Sequence, residues 1–303
     1  MAVVTVSNHL PVNVFTIKDL ENLSGIKAHT IRIWEQRYSF LKPQRTDTNI
    51  RYYSTEELKA VLNIALLNKY GFKISHIDKM STEEVRQKII ELSHVEAQQE
   101  RLINDLVQYM VDLDIVSFED VLNQYIRARG IERTITQLVF PFLDKIGILW
   151  MTNFIQPAQE HLVANIIRQK LIVGIENVHS SMRSDKTVVL FLPEGEYHEL
   201  GLLYLYYLLK SKGVQVLYLG SDVPVRDMEF LVNAKKPDFL LTHLTSVPSN
   251  FNIDKFLNHF HQTVPEARLV ISGQLSVCYP RKSFPKVEFK RSLQEVMEFI
   301  TGL

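Results

Sequence analysis

A histidine with a carboxylate two residues before it and a glycine three residues after it occupies one short polar stretch of this chain. The residues are Glu196, His198 and Gly201, within Glu194–Gly201, which reads EGEYHELG. An imidazole can ligate a metal, a carboxylate can orient the ring by accepting its other N–H, and a glycine lets a bulky group approach the backbone. The residue types favour a metal-binding turn, with a histidine in a solvated loop as the alternative.

The sequence on either side predicts where this turn lies in the fold. A short apolar run over 187–192 precedes it, and an apolar run of helical length over 202–209 follows it. Strand, polar turn and helix in this order are the first unit of a parallel α/β sheet. Because ligands bind at the carboxyl ends of the strands in such sheets, the turn falls where a ligand is expected.

The region 183–303 alternates between strand and helix patterns throughout, which predicts a five-stranded, doubly wound, Rossmann-like domain. The fingerprint G-x-G-x-x-G is absent from its first turn, which disfavours NAD. The predicted strands are 187–192, 214–219, 238–243, 268–272 and 287–289, and the predicted helices are 199–212, 225–234, 252–262 and 292–301.

Two further strand ends carry polar or small residues, Thr242-His243-Leu244 and Ser272-Gly273. With the Glu196–Gly201 turn, they resemble the cobalamin-binding domain of methionine synthases and B12-dependent mutases, which has Asp-x-His-x-x-Gly, Ser-x-Leu and Gly-Gly. The resemblance implies that His198 ligates cobalt from below and that the nucleotide tail of cobalamin is buried in the sheet domain. It also implies a cofactor-binding role for Glu196, Gly201, Thr242, Leu244, Ser272 and Gly273. This chain departs from the pattern at Glu196, Thr242 and Ser272, and Ser272 adds a side chain where the family has none.

The region 81–182 is helical by pattern and predicts a bundle of four or five antiparallel helices. Within it, Trp150 is followed by the pair Glu160-His161 at the start of the next predicted helix. An aromatic plate and polar groups on different helices could cover a flat ligand, whereas packing of Trp150 in the core and capping by Glu160 is the simpler alternative. The predicted helices are 82–94, 96–112, 117–128, 131–150 and 157–179, with Pro141 kinking or restarting the fourth.

The first 80 residues predict a helix-turn-helix followed by a β-wing and a further helix. Thr16 caps the first helix, the turn is at Ser24-Gly25, and the second helix, about 27–38, buries Ile31 and Trp34. The pattern Ser54-Thr55-Glu56-Glu57 is a capping box that begins the helix after the wing.

Landmarks R-x-W-E, P-x-R and R-Y-Y-S across this segment resemble the winged-helix DNA-binding domain of MerR-type transcriptional regulators. Arginine can reach base edges or phosphates, and tyrosine hydroxyls contact phosphates. For Arg32 and Arg51, ion pairs within the domain are the alternative. One module of this size buries little surface, so binding as an oligomer is expected. The predicted DNA contacts are Thr30, Arg32, Arg37, Arg45, Arg51 and Tyr52.

Composition sets limits on the remaining classes. The chain has 303 residues, zero net charge and one cysteine, which excludes an intramolecular disulfide framework and favours a reducing compartment. The N-terminus lacks the charge and the apolar run of a signal peptide, and no apolar run reaches the ~18 residues of a membrane span. We therefore expect a cytoplasmic protein that does not enter a membrane.

The order of the three predicted domains, 1–80, 81–182 and 183–303, resembles the B12-dependent, light-responsive MerR-type repressors. This resemblance favours adenosylcobalamin as the cofactor, with methylcobalamin as an alternative. It places Trp150, Glu160 and His161 over the adenosyl face, which reverses the simpler interpretation of Trp150. It also implies a repressor rather than an enzyme, which binds operator DNA as a dimer or tetramer in the dark and leaves it when light breaks the cobalt–carbon bond.

One position departs from the light-sensing members of that family. Some of them have a second histidine directly after the tryptophan, which captures cobalt after photolysis, whereas this chain has Met151. We expect cobalamin binding without that capture, with either light or the cofactor itself as the signal. The two other classes are a MerR-type regulator with a degenerate B12 site and a B12-carrying subunit of a methyltransferase or mutase.

Overall fold

The structure is a computed structural model, and it divides into two compact units, Met1–Ile166 and Ile167–Leu303. For residues 148–150 only the backbone is described. The predicted boundaries near residues 80 and 182 stay predictions. The described residues are 14–46, 49–92, 95–150, 155–181, 183–245, 251–279 and 284–303.

Helices and a two-stranded antiparallel hairpin begin the first unit. Thr16 and Ser54 each form a capping box, in which the side chain accepts a backbone N–H three residues on and a carboxylate accepts the N–H of the capping residue. Gly25 ends the first helix at φ +73°, which glycine adopts without steric strain. The elements are α1 Ile17–Ser24, α2 Ala28–Arg37, β1 Gln44–Arg45, β2 Arg51–Tyr52, α3 Thr55–Lys69 and α4 Ile74–Ile77.

The helical bundle follows, and its bounds lie close to those predicted, except in the predicted helix 131–150. That segment is α-helical at both ends but contains a π-helical turn at Ile135–Val139. The bundle elements are α5 Thr82–Ile90, α6 Val95–Asp112, α7 Ile115–Arg129, α8 Ile131–Thr134, α9 Phe140–Trp150 and α10 Pro157–Asn177.

Proline chemistry explains this irregularity. Pro141 has no N–H, so it cannot donate to the carbonyl of Gln137, four residues earlier. The side-chain amide of Gln99 on α6 donates a hydrogen bond to that carbonyl instead. The wider π turn therefore accommodates the proline ring while the carbonyl acquires a partner from a neighbouring helix.

Packing joins the hairpin-bearing segment to the bundle within the first unit. Helix α3 packs on α5 and α6, and α6 packs on α7 and α9. Phe118 of α7 and Phe142 of α9 meet edge to face, with ring centroids 5.4 Å apart. At the rim, Lys69 of α3 pairs with Glu100 of α6 at 2.6 Å. Apolar burial supplies most of the stabilisation, because exposed ion pairs contribute little.

A lysine lies within this packing on α9. Lys145 donates to the Oδ1 atom of buried Asn104 at 2.5 Å. Burial lowers the pKa of Lys145 to about 8, and nearby Glu100 offsets part of that effect. The unfolded chain holds the same proton up to about pH 10.4.

This difference predicts a pH dependence of stability. As pH rises through about 8 the folded protein releases the Lys145 proton first, so the unfolded chain binds more protons and the free energy of unfolding increases between about pH 8 and pH 10. Urea midpoints measured from pH 7 to pH 10 should therefore rise in the native chain relative to Lys145→Met. The matched control is Lys59→Met, at an exposed site on α3. A gap between native and Lys145→Met that stays constant with pH would contradict the assignment.

The second unit contains a five-stranded, fully parallel sheet, which confirms the predicted doubly wound class. Its strand order is β4-β3-β5-β6-β7, so the chain reverses direction across the sheet between β3 and β5. The strands are β3 Thr187–Pro193, β4 Gln215–Val223, β5 Phe239–His243, β6 Leu269–Ser272 and β7 Val287–Phe289.

Helices cover this sheet. Strand β3 is buried from Val188 onward, as expected for a central strand with helices on both faces. The short helix α14 follows β6 and was not predicted. Within the part of the chain that the structure describes, no helix is both long and apolar enough to cross a bilayer. The helices are α11 Leu200–Ser211, α12 Val225–Lys235, α13 Ile253–Thr263, α14 Gln274–Cys278 and α15 Leu293–Thr301.

Candidate functional site

The candidate site lies at the carboxyl ends of β3 and β5, where the strand order reverses. In doubly wound sheets this reversal opens a crevice beyond the strand ends, and ligands bind there. The turn with Glu196 and His198 follows β3 directly, and the pair Thr242-His243 ends β5. The topology alone therefore brings together the turn after β3 and the strand end that were predicted separately.

Glu196 and His198 form a fixed pair in this turn. Oε1 of Glu196 accepts hydrogen bonds from the backbone N–H of His198, at 2.8 Å, and from its ring Nδ1, at 2.6 Å. The Glu196 side chain is 1% exposed and that of His198 is 49% exposed, so a buried carboxylate holds an accessible ring. This is the carboxylate–imidazole arrangement that orients metal-ligating histidines.

The ionisation of Glu196 suits this role. Burial acts to raise the pKa of Glu196, but the hydrogen bonds from the ring and backbone of His198 outweigh it and hold the pKa below its ordinary value. A carboxylate that stays charged accepts the Nδ1 proton and fixes the ring tautomer, so Nε2 carries the lone pair. The ring is thereby set up as a metal ligand through Nε2.

Asp222, near the end of β4, holds the turn from the other side. Its Oδ1 accepts the N–H of Gly195 at 2.8 Å, and its own N–H donates to the carbonyl of Glu196 at 3.2 Å. Asp222 adopts φ +58°, a conformation that aspartate tolerates better than most residues. Sequence reasoning missed this residue, because no periodic pattern signals a left-handed residue inside a strand.

The residue after His198 is fixed as well. Glu199 pairs with Arg168 at 2.6 Å and accepts the Tyr218 hydroxyl at 3.2 Å. With Glu196 and Asp222, these contacts hold His198 between fixed neighbours, so the direction of its ring is set by the surrounding structure.

Gly201 is crowded by a histidine that sequence reasoning did not select. A Cβ atom on Gly201 would lie 2.2 Å from Cδ2 and 2.5 Å from Nε2 of His243, so the imidazole rests on the glycine. Nδ1 of His243 lies 2.9 Å from Oγ of Ser272, its register partner on β6. The signal for this contact is the pairing of β5 with β6, which only the structure gives.

The remaining strand-end residues also meet. Gly273 adopts φ +93°, and a Cβ there would lie 2.5 Å from the carbonyl oxygen of Leu244. The N–H of Leu244 donates to the carbonyl of Ser272 at 2.8 Å. Thr242 is fully buried next to them. The structure therefore brings Leu244, Ser272 and Gly273 together, as the resemblance implied, while their role in binding a cofactor stays a prediction.

Two buried oxygen atoms support the fit of a polar ligand at this edge. Oε2 of Glu196 and Oγ1 of Thr242 are buried and have no hydrogen-bond partner among the described residues. An unpartnered buried oxygen costs about 1–3 kcal/mol, which a bound group could recover. The turn thus fits the cobalt-ligating half of cobalamin, whereas the space over Gly201 is filled by His243.

The predicted upper-face residues belong to the first unit. Trp150 ends α9, and its side chain lies outside the described residues, as does Met151 altogether. Glu160 and His161 lie in the first turn of α10, where Glu160 is half-buried and His161 is exposed. Their predicted contact with the adenosyl group stays a prediction.

The predicted DNA contacts lie on α2 and on the hairpin. On α2, Arg32 and Arg37 are exposed and Thr30 is half-buried, while Trp34 is 5% exposed, as expected for a core residue. On the hairpin, Arg45 donates to Oδ1 of Asn49 at 2.7 Å. These positions are compatible with DNA binding, which stays a prediction for each residue.

Arg51 and Tyr52 differ from the others in making contacts within the domain. Tyr52 donates to Gln44 at 2.7 Å, across the hairpin. Nε of Arg51 pairs with Glu35 of α2 at 3.0 Å, which is the ion pair that the sequence left as an alternative to DNA contact. Tyr53, fully buried, donates a short hydrogen bond to the same carboxylate. Burial, followed by the hydrogen bond to Glu35, raises the pKa of Tyr53 above its ordinary value.

Comparisons with known families match two segments of the chain. Residues 15–84 match the MerR HTH family regulatory proteins, and this range covers α1 to α4 with the hairpin. Residues 102–173 match the B12 binding domain, and this range lies in the helical bundle, from α6 into α10. The resemblance stated from the sequence is thereby confirmed for both segments.

A solved structure shares the fold over part of the chain. The monomethylamine corrinoid protein of Methanosarcina barkeri has a TM-score of 0.55 and 12% sequence identity, over 68% of this chain and 100% of that one. At this identity the likeness concerns the fold alone, and it agrees with the Rossmann-like sheet and the helices before it.

Two curated relatives match most of the chain. The HTH-type transcriptional repressor CarH of Myxococcus xanthus is 27% identical over 269 residues, 86% of this chain and 88% of that protein. The HTH-type transcriptional repressor CarA of the same organism is 30% identical over 225 residues, 73% of each chain. With the MerR and B12-binding matches, this identity shows that the chain belongs to the family of MerR-type HTH transcriptional repressors that carry a B12 binding domain.

Proposed function

We propose that this protein is a transcriptional repressor whose binding to operator DNA is controlled by a cobalamin held at the sheet edge. The observation that carries the proposal is the Glu196–His198 pair, a buried carboxylate that fixes an accessible imidazole at the carboxyl end of β3. It supports cobalt ligation because the ring is already oriented and Nε2 is the nitrogen that would ligate. The MerR-type segment supplies the DNA-binding half of the proposal.

Each residue of the site has a distinct role in this proposal. His198 ligates cobalt from below, Glu196 orients it, and Asp222 holds the turn that carries both. Thr242 offers its buried hydroxyl, and Leu244, Ser272 and Gly273 line the neighbouring strand ends. Glycine is required at position 273, because its φ and the 2.5 Å approach of the Leu244 carbonyl exclude a side chain.

Adenosylcobalamin is the form that we propose, with methylcobalamin as the alternative. When bound, adenosylcobalamin supplies a cobalt–carbon bond that light can break. Trp150, Glu160 and His161 are the residues proposed to contact the adenosyl group. Because Met151 stands where an imidazole would capture cobalt, we expect illumination to leave no stable product with two histidine ligands.

The DNA-binding state is proposed to be an oligomer, a dimer or tetramer. A single winged helix buries little DNA surface, so adequate affinity requires several copies on repeated half-sites. The proposed role is regulation and not catalysis, and it is supported by the MerR-type match.

A DNA-binding shift on the full chain tests the proposal. The purified protein is mixed with DNA from upstream of its own coding region, with adenosylcobalamin, methylcobalamin or no corrinoid, each in the dark and after illumination. The proposal expects the affinity or the oligomeric state to differ between the corrinoid and corrinoid-free samples. Illumination of the adenosylcobalamin sample should reverse that difference if light is the signal.

Three measurements decide the outcome. Size-exclusion chromatography with light scattering gives the oligomeric state, the absorption spectrum reports bound corrinoid, and the shift reports DNA. Identical DNA binding under all six conditions, with no corrinoid retained, would refute control by cobalamin and favour a MerR-type regulator that acts without it.

A further inference from the structure

We propose that His243 and Ser272 form a plug over Gly201 that makes the site discriminate against corrinoids carrying a nucleotide base. The inference rests on the proposed binding of cobalamin at this edge, and it names the part of the cofactor that the plug opposes. The expected preference is for an incomplete corrinoid, one that has the cobalt ring but no nucleotide base.

Position is the first observation. The His243 ring lies where a Cβ on Gly201 would be, within 2.2 Å of that point, so the space that the glycine leaves open is already filled. His243 and Ser272 are register partners on neighbouring parallel strands, and side chains at the same register lie on the same face of a sheet. Both side chains therefore project toward α11, the helix that carries Gly201.

The hydrogen bonds of the plug are the second observation. Oγ of Ser272 donates its proton to the carbonyl of Thr242 at 3.2 Å. That oxygen therefore accepts from Nδ1–H of His243 at 2.9 Å, which fixes the neutral ring with its lone pair on Nε2. Burial lowers the pKa of His243 to about 4, in agreement with a neutral imidazole at pH 7. Ring and hydroxyl thus hold each other in one arrangement.

The third observation is that the two departures depend on each other. Ser272 stands where the cobalamin-domain pattern has a glycine, and its hydroxyl is the hydrogen-bond partner of His243. A glycine at position 272 would leave the Nδ1–H of His243 without this acceptor. Any planar group entering above Gly201 has to displace the imidazole and break this bond, which opposes entry.

The test measures binding of two corrinoids to the full chain. Equilibrium dialysis with cobalamin and with cobinamide, which lacks the nucleotide, gives both affinities for the native protein, His243→Ala, Ser272→Gly and the double variant. The exposed His259 on α13 supplies the matched control, His259→Ala. Losing one hydrogen bond and one ring from the path should raise cobalamin affinity by about tenfold in His243→Ala, and by less in Ser272→Gly. Cobinamide affinity should stay unchanged in both variants.

Each outcome decides between the plug and its alternatives. Weaker cobalamin binding in His243→Ala would overturn the plug, since it would make His243 a contact of the nucleotide. Equal changes for both corrinoids would overturn it too. If neither corrinoid binds any variant, the proposed function fails instead of the plug. Thermal melting by circular dichroism checks folding, and His243→Asn, which keeps a short polar side chain, replaces any alanine variant that does not fold.

Discussion

Replacing His198 by alanine is expected to weaken the binding of adenosylcobalamin or methylcobalamin to the full chain by about 100-fold or more, because even residues that only orient a metal ligand contribute 10–100-fold. The side chain of His198 is the oriented imidazole of the turn, and its removal leaves Glu196 buried with its Oε1 hydrogen bond to the ring lost. Cobalt would then take water or a base of its own cofactor in place of the protein imidazole.

The absorption spectrum of bound corrinoid separates these states, because an imidazole ligand and a water ligand shift the cobalt bands differently. His198→Ala should lose both affinity and the imidazole-ligated spectrum, and added free imidazole should restore part of the spectrum. Glu196→Gln keeps the shape of the side chain but not its charge, so it should bind more weakly than native while retaining the ligated spectrum.

His259→Ala removes an exposed histidine from the same unit and should bind as the native chain does. A native-like spectrum in His198→Ala would show that another residue ligates cobalt, and the assignment of this turn would then be wrong.

Glu35→Ala is expected to have the second large effect, on the DNA-binding segment. The carboxylate of Glu35, 8% exposed, accepts from Arg51 and from the fully buried Tyr53 hydroxyl, and so ties α2 to the hairpin. Its loss leaves a buried hydroxyl and a half-buried guanidinium without their acceptor. We expect a loss of about 2–4 kcal/mol in the free energy of unfolding of that segment, with at least tenfold weaker DNA binding.

Electrostatics makes this prediction sharp. Removing a carboxylate raises the net charge by one, which by itself would favour DNA binding. Glu56→Ala, at an exposed position of α3, makes the same charge change and should bind DNA at least as well as the native chain. Urea unfolding followed by circular dichroism and a salt series of DNA-binding shifts measure both effects. If Glu35→Ala and Glu56→Ala behave alike, the carboxylate does not hold α2 and the hairpin together.

Elements of the fold were predictable where local chemistry decides them. Strand β3 is an apolar run bounded by polar turns, and the helix after it has helical length, so both follow from pattern alone. The Ser54 capping box is a four-residue signal that the structure contains. The π turn before Pro141 was not predictable in the same way, because its carbonyl is satisfied by Gln99 from a different helix.

The candidate site divides along the same line. The contact between Glu196 and His198 spans two residues, so the residue types and spacing suffice to expect it. The contact of His243 with Ser272 and Gly201 needs strand register and helix position, which no single sequence provides. The hold of Asp222 on the turn likewise depends on β4 lying beside β3.

The strand order of the sheet has a consequence for the order of folding. Central strand β3 pairs with β4 and also with β5, whose residues lie roughly 50 positions later along the chain. The first unit is built from helices with largely local contacts, which form fast, whereas the sheet must close these long loops before its pairing is rewarded. During synthesis the helical unit emerges first, so the DNA-binding segment is expected to be folded while β3 still waits for its partner strand.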